Sequence, residues 1–205
     1  MRVLVGCEKS GIVRNAFAEM GHDAWSCDLC PSDLPGKHFQ CDITTIVDFV
    51  DWDLIIVFPD CTALCVSGNS TYAKGKPGHH KRMSAITWTY ALWVQCLANS
   101  KRVALENPVG VLCSMTNMPK PHYIQPYDFG EDARKKKTGL FLHGLSPLEP
   151  TERIKGRIVN HVERWSNQTD KGDNNLSPSA NRAEIRGRTY LGIANAMAQQ
   201  WGSNT

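Results

Sequence analysis

The sequence lacks any apolar segment long enough to cross a membrane. None of its hydrophobic runs approaches the roughly 18 consecutive apolar residues that a spanning helix needs. The first six residues, 1–6, have the pattern of a β-strand rather than of a secretion signal. We therefore expect no membrane association and a cytoplasmic location, in which the eight cysteines stay mostly reduced.

Internal repeats, a recognisable linker and a strong net charge are also missing. We interpret the 205 residues as one domain, 1–205, which is long enough to bury a sizeable core. The formal net charge of +3 is too small to predict nucleic-acid binding. Residues 1–100 contain 8 Lys/Arg and 10 Asp/Glu, whereas residues 101–205 contain 15 and 10. This basic second half is compatible with a phosphate-bearing partner, and equally with solubility alone.

Two further motifs are incomplete. The first turn has only Gly6 and Gly11, whereas the dinucleotide-binding fingerprint has three glycines. The residues after Gly11 are not the Lys-Ser/Thr pair of a P-loop. A triphosphate site is therefore not expected. Cys27 and Cys30 have the spacing of zinc ligands, but a second closely spaced ligand pair is missing. The sequence thus predicts no metal site.

What the sequence does contain is an alternation of apolar strands and amphipathic helices. The strongest predicted strand is 52–58, and further strands are predicted at 3–5, 24–27, 102–105 and 139–143. Helices are predicted at 12–20, 86–97 and 190–201. The glycine-rich segment 67–82 is predicted to be a loop, and the polar segment 151–188 is expected to be partly mobile. This alternation predicts an α/β fold with a mostly parallel sheet and helices on both faces.

Cys61 and Glu106 each follow a predicted buried strand. Because ligands of open α/β sheets bind outside the carboxyl ends of the strands, this thiol and this carboxylate are expected at the same edge. Such a pair supports covalent chemistry, in which one residue adds to the substrate and the other handles a proton. For Cys61 taken alone, the alternative is a structural role as a small buried apolar side chain.

Two acidic residues at neighbouring strand ends suit a nucleoside. Asp28 can accept hydrogen bonds from ribose hydroxyls, and Asp42 can accept one from an adenine amino group. The alternative for each carboxylate is turn formation or helix capping. Together with the glycine turn, the two acids favour a bound nucleoside about as strongly as these structural roles.

In order and approximate spacing, these residues resemble the C5-cytosine DNA methyltransferases. The matching elements are Gly6 with Gly11, Asp28, Asp42, Pro59-Asp60-Cys61, Glu106-Asn107-Pro108 and the tail 188–196. The resemblance covers nearly the whole chain, and the Cys61 and Glu106 motifs are its most specific part. More narrowly, the chain is similar to short phage-encoded cytosine methylases, which share the stretch 136–142. That likeness implies a host bacterial cytoplasm.

The resemblance implies a single-domain, Rossmann-like methyltransferase sheet that uses S-adenosylmethionine. The Cys61 thiolate would attack C6 of a pyrimidine, Glu106 would hold the ring at N3, and Asn107 would fix that strand end. The residues expected to bind the cofactor are Gly6, Gly11, Asp28, Asp42, Pro59 and Asn195. Those expected to contact DNA or a pyrimidine nucleotide are Lys81, Arg82, Lys136, Lys137 and Thr138.

The chain departs from that family in three ways. Asp60 replaces a proline, and its carboxylate would raise the pKa of Cys61 if it pointed inward. The family's Gln-x-Arg-x-Arg element is absent, and the basic run 134–137 stands in its place. The segment between the predicted strand 139–143 and the terminal helix is too short for a target-recognition domain. The polar segment 151–188 stands in the place of that domain.

Three functions are therefore compatible with the sequence. The first is methyl transfer from S-adenosylmethionine to C5 of cytosine in DNA. The second is C5 modification of a free pyrimidine nucleotide. The third is a methyltransferase-like protein without activity that binds nucleic acid or a host protein.

Overall fold

The centre of the fold is a seven-stranded sheet. The computed structural model describes residues 1–130, 133–175 and 189–203. The strands of the sheet are β1 (Arg2–Gly6), β2 (Asp23–Asp28), β3 (His38–Gln40), β4 (Leu54–Val57), β5 (Val103–Pro108), β6 (His122–Ile124) and β7 (Thr138–His143). Their order is β3-β2-β1-β4-β5-β7-β6. Strands β1 to β5 are parallel to one another, whereas β7 is antiparallel to both β5 and β6.

Helices cover both faces of this sheet. They are α1 (Ile12–Glu19), α2 (Asn69–Tyr72), α3 (His79–Asn99), α4 (Leu112–Met115) and α5 (Leu191–Gly202). Three 3₁₀ turns lie at Ile43–Thr45, Val66–Gly68 and Pro126–Asp128. A separate antiparallel hairpin is formed by β8 (Arg157–Val159) and β9 (Val162–Arg164).

The central strands are apolar throughout because helices bury them from two sides. Every residue of β4 is fully buried, and side chains that alternate along β1 and β4 belong to different clusters. One cluster joins the sheet to α1 and α5 through Phe17 and Trp201. The other joins it to α3 through Trp93. The sheet is thus the middle of three layers.

The first five strands have the order β3-β2-β1-β4-β5 of a Rossmann-like sheet, and the predicted α/β fold class with a mostly parallel sheet is confirmed. The order reverses at β1, which pairs with β2 on one side and β4 on the other. In open α/β sheets, a ligand crevice forms at the carboxyl ends of the strands beside such a reversal. Here the loops after β1 and β4 meet at that point, since the Phe58 N–H donates to the Gly6 carbonyl at 3.0 Å.

Several element predictions need correction. The prediction of a loop at 67–82 is wrong in part, because α2 lies within it and α3 begins at His79. The first turn of α3 is polar, so apolar periodicity does not reveal it. The edge strands β3 and β6 were not predicted, since three residues are too few to show an alternating pattern. Part of the 151–188 segment, 176–188, lies outside the described residues, and the remainder contains the β8–β9 hairpin.

No helix in the described part of the chain is long and apolar enough to span a membrane.

Candidate active site

Cys61 lies in a tight turn just beyond the carboxyl end of β4. Its carbonyl oxygen accepts hydrogen bonds from the N–H groups of Leu64 and Cys65, each at 3.0 Å. Burial and, after it, the charge of Glu106 are the main causes that raise the pKa of the half-buried Cys61 thiol to about 11, and the charge of Lys136 opposes them. Since these charges act on the thiol, the structure brings Cys61, Glu106 and Lys136 into electrostatic reach of one another.

Glu106 faces a cleft between the end of the sheet and the first turn of α5. The Thr138 hydroxyl, from the neighbouring strand β7, donates a hydrogen bond to the Glu106 carboxylate. The cleft is open to solvent, and Lys136 and Tyr190 line it beside Glu106 and Thr138. Its apolar walls come from Phe58, Ile124, Pro126, Leu140, Ile193 and Met197. Apolar walls with a few polar groups at one edge are typical of sites that bind small molecules.

The Asp60 carboxylate does not face the Cys61 thiol as its main partner. Asp60 is exposed, and one of its oxygens accepts hydrogen bonds from the Thr62 N–H at 2.9 Å and from the Thr62 hydroxyl at 2.6 Å. Among the charges that raise the pKa of Cys61, Asp60 has the smallest effect. Asp60 therefore forms a local turn and has little effect on the thiol.

Asn107 is the least satisfied polar group of the site. Its side chain is 1% exposed, and neither its amide nitrogen nor its amide oxygen has a hydrogen-bond partner within residues 1–130, 133–175 and 189–203. Buried amides without partners are rare in folded proteins. The predicted role of Asn107 in fixing the strand end has no hydrogen bond to support it in these ranges, and it stays a prediction.

Glu8, which the sequence analysis did not identify, occupies the N-terminus of α1. Its carboxylate accepts hydrogen bonds from the N–H groups of Val13 (2.7 Å) and Arg14 (3.3 Å) and from the Ser10 hydroxyl (3.1 Å). Gly11 permits this arrangement because it adopts a left-handed φ of 73° immediately before the helix. A carboxylate of the protein therefore fills the place where dinucleotide-binding folds hold a phosphate. An acidic residue just ahead of the first helix was the available sequence signal.

Burial of Glu8 should make the stability of the protein depend on pH. The side chain is 3% exposed, and desolvation raises its pKa from 4.5 to about 7. The folded protein then holds the Glu8 proton more tightly than the unfolded chain does, so this contribution to stability is present below pH 4.5 and is lost as pH rises through 7. We expect Glu8→Gln to remove this decline, which amounts to at most about 3 kcal/mol. Urea unfolding between pH 4 and 8 measures it.

Glu19→Gln is the matched control, because Glu19 is an exposed acid on the same helix. It should retain the slope of the original protein. Equal slopes for Glu8→Gln and the original protein would contradict the assigned role of Glu8.

Asp28 and Asp42, the two acids predicted to bind adenosine, lie near each other at the crevice beside Gly6. Burial is the main cause that raises the pKa of Cys7, which follows Gly6 directly, and the charges of Asp28 and Asp42 raise it as well. Asp28 also accepts a hydrogen bond from the Cys30 N–H at 2.9 Å, and Asp42 caps the Ile43–Thr45 turn through the Thr44 N–H at 2.9 Å. The structural roles considered for both acids are therefore present, while the carboxylates stay at the crevice.

The remaining predicted site residues are distributed differently. Pro59 is buried beside the Cys61 turn, and Asn195 is half-buried on α5 but does not line the cleft described above. The ammonium group of Lys137 lies 4.2 Å from the centre of the exposed Tyr123 ring. Lys81 is exposed on α3, whereas Arg82 is buried and bonded to the protein. The structure thus brings Lys136 and Thr138 to Glu106, and it does not bring Arg82 to the cleft surface.

Cys27 and Cys30, which have the spacing of zinc ligands in the sequence, differ in burial. The sulfur atoms of Cys27 and Cys41 are 3.8 Å apart, but Cys30 is exposed and the His38 ring bonds the Cys30 carbonyl at 3.0 Å. Within the described ranges, no group of three or more His, Cys, Asp or Glu side chains is arranged to hold a metal ion.

Gly110 sets the distance between the loops that carry Cys61 and Glu106. The Val111 N–H donates to the Leu64 carbonyl at 3.0 Å, and a Cβ atom at Gly110 would lie 2.4 Å from that same oxygen. We expect Gly110→Ala to push the loops apart and to lower the free energy of unfolding by about 1–3 kcal/mol. Urea unfolding and the rate of Cys61 alkylation measure the two effects.

Gly75→Ala serves as the control for this prediction. A Cβ at Gly75 meets nothing within 4 Å, so that variant has only the cost of a left-handed φ of 82°. It should lose stability but leave Cys61 alkylation unchanged. The same Cys61 rate in Gly110→Ala as in the original protein would show that Gly110 does not position the thiol.

Comparison with known proteins finds similarity in structure. No protein-family model and no curated protein matches the chain. The fold is similar to that of a candidate DNA modification methyltransferase encoded within an E. coli prophage, with 13% sequence identity and a TM-score of 0.41. The match covers 69% of this chain and 46% of that one, so this chain spans less than half of that protein's length. The strand order, and not this likeness, defines the fold class.

Proposed function

We propose that this protein transfers a methyl group from S-adenosylmethionine to C5 of a cytosine base in DNA through a covalent adduct at Cys61. One observation supports this proposal above the others. Cys61 and Glu106 are far apart in the chain, yet Val57 and Leu105 pair across the parallel strands β4 and β5, which brings the residues that follow them to one end of the sheet, where the charge of Glu106 acts on the Cys61 thiol. A nucleophile and a proton-handling carboxylate at one site are the two groups that addition to a pyrimidine ring requires.

The chemistry follows from the electron demand of the ring. A bond forms between the Cys61 sulfur and C6, the electrons of the C5–C6 double bond move toward C5 and N3, and a proton delivered by Glu106 at N3 neutralises the ring. C5 is then nucleophilic, and S-adenosylmethionine, when bound, would supply an electrophilic methyl group to it and leave as S-adenosylhomocysteine. Loss of the C5 proton to a base restores the double bond and releases Cys61 as a thiolate, and N3 returns its proton to Glu106.

Lys136 is the cation that best replaces the missing arginine element. It lines the cleft with Glu106, and its charge lowers the pKa of Cys61. An ammonium group at this position favours the thiolate and can donate a hydrogen bond to a pyrimidine carbonyl. Thr138 orients Glu106 from the neighbouring strand through its hydroxyl. Lys136 and Thr138 are therefore the substrate-side residues that we assign with Cys61 and Glu106.

The crevice beside Gly6 suits S-adenosylmethionine better than a phosphate-bearing cofactor. Glu8 fills the helix terminus that would otherwise receive a phosphate, and Asp28 and Asp42 add two carboxylates nearby. The two aspartates repel phosphate, whereas they suit ribose hydroxyls, an amino group and a sulfonium charge. Asp28 would hold the ribose and Asp42 the adenine, with the Gly6 turn and Pro59 bounding the site and Asn195 contributing from α5.

DNA is the preferred substrate because basic residues concentrate in the second half of the chain. Lys/Arg residues outnumber Asp/Glu residues by 15 to 10 over 101–205, and exposed Lys137 lies next to the cleft residues Lys136 and Thr138. Between β7 and α5, the described residues contain only a small hairpin. A free pyrimidine nucleotide, which needs no base flipping, is the second candidate on this observation.

A methyl donor labelled with ¹³C tests the proposal directly. The protein is incubated in parallel with duplex DNA, single-stranded DNA and a cytidine nucleotide, and the nucleosides are analysed by mass spectrometry. We expect labelled 5-methylcytosine from at least one DNA substrate. Label on an exocyclic amino group would exclude the covalent mechanism. Tight DNA binding without transfer would instead favour a binding protein, and product from the nucleotide alone would favour the second candidate.

A further inference from the structure

Arg82 lies behind the turn that presents Cys61 and is almost completely enclosed. Its side chain is 4% exposed, although it belongs to the first turn of α3 and carries a full charge. Lysine and arginine side chains are rarely buried to this degree unless their donors are used by the protein. The partners of Arg82 therefore indicate what it does.

All three partners lie in the segment that follows Cys61. The Arg82 Nε donates to the Ala63 carbonyl at 2.7 Å, and Nη2 donates to the Cys65 carbonyl at 3.1 Å. Nη1 donates to the Asn69 side-chain oxygen at 2.8 Å. The guanidinium thus holds two alternate carbonyls of the Cys61 turn and the start of α2 in one plane. No single ammonium group has donors in that geometry.

We propose that Arg82 is a positioning residue, which holds the turn after Cys61 against α3 so that the thiol stays directed at Glu106. This inference rests on the proposed function for its catalytic consequence, but the geometry it asserts can be tested without methyl transfer. Arg82 acts through the backbone of the turn: the charges that act on Cys61 are those of Glu106, Cys65, Lys136 and Asp60. Its role is therefore distinct from that of a phosphate contact.

The effect of replacing Arg82 follows from the loss of two carbonyl bonds. In Arg82→Lys, the turn is no longer held at both Ala63 and Cys65, so the thiol moves away from its productive position. A displacement of about 1 Å lowers turnover on the order of 100-fold. Because the same movement exposes the half-buried thiol, we expect iodoacetamide to alkylate Cys61 several-fold faster at pH 8. We expect kcat to fall and the Kd for the cofactor to stay unchanged.

The experiment compares Arg82→Lys with Arg14→Lys. Arg14 is also buried and donates to the Ser26 hydroxyl and to the Leu34 and Pro35 carbonyls, away from the Cys61 turn. Mass spectrometry of alkylated peptides follows Cys61, with the fully buried Cys96 as an internal measure of folding. We expect faster Cys61 alkylation in Arg82→Lys alone, with Cys96 protected in both variants. Equal Cys61 rates in the two variants would overturn the proposal.

Asn69 gives a second test that keeps the guanidinium. Asn69 is exposed, so its replacement leaves the core intact. Asn69→Ala removes one of the three acceptors and should change Cys61 alkylation in the same direction as Arg82→Lys, but less. Asn69→Asp retains an acceptor and should restore the original rate. If Arg82→Lys does not fold, an unchanged rate in Asn69→Ala decides against the proposal. The absence of methyl transfer by the original protein would reject the proposed function while leaving this alkylation test valid.

Discussion

Replacing Cys61 with serine should abolish methyl transfer while leaving the fold intact. A serine hydroxyl is a far weaker nucleophile than a thiolate at neutral pH, and no other group in the turn takes its place. We expect the rate of label transfer to fall by on the order of 10³-fold or more. The thermal unfolding midpoint should stay close to that of the original protein, because Cys61 is only half-buried.

Cys65→Ser is the matched control for this variant. Cys65 lies four residues after Cys61, and its sulfur contacts the Ser67 hydroxyl at 3.0 Å. A serine at this position keeps that hydrogen bond and should keep most of the activity. If Cys65→Ser lost methyl transfer while Cys61→Ser remained active, the nucleophile would be Cys65 and not Cys61.

Replacing Glu106 with glutamine should raise the alkylation rate of Cys61 and lower the rate of methyl transfer. The Glu106 carboxylate raises the pKa of Cys61, which is about 11 in the original protein. Removing that charge lowers this pKa, so the thiolate fraction and the alkylation rate at pH 8 rise. Methyl transfer should nevertheless fall by about 10²–10⁴-fold, because a positioned proton donor is lost. Alkylation against pH and label transfer are measured on the same preparation.

Glu149→Gln provides the control for loss of one negative charge. Glu149 is exposed, and its hydrogen bonds to Gln200 come from its backbone. Neither rate should change in this variant. A fall in both alkylation and transfer in Glu106→Gln would indicate a disturbed fold rather than a lost proton donor.

The strand positions were predictable because the core is built from strongly apolar segments. The strands β1, β4 and β5 coincide with the runs of valine, leucine and isoleucine in the sequence, since strands buried on both faces admit few other residues. The start of α3 was not predictable, because its first turn is polar and is held in place by Arg82 rather than by apolar contacts. Local pattern shows burial, and it does not show which polar side chain is enclosed.

The edge of the sheet that holds the candidate site was predictable, but its contacts were not. Cys61 follows the apolar run of β4, Glu106 follows the apolar residues of β5 and Asp28 ends β2, and parallel strands end at a common edge, whereas Asp42 follows the short strand β3, which was not predicted. Arg82 was predicted to contact substrate, yet its three donors hold the protein backbone and Asn69. Glu8 was not identified, since its role depends on a helix terminus that forms five residues later in the chain.

The amino-acid sequence by itself determined the layered α/β architecture and the residue types at the ends of the main strands. The reason is that apolar runs and their lengths are local properties of the chain. The tertiary structure alone decided that the charges of Glu106 and Lys136 act on the Cys61 thiol. It also decided that Asp60 bonds Thr62 and that Glu8 closes the terminus of α1. Those outcomes depend on distances between segments far apart in sequence, which strand pairing and loop packing determine.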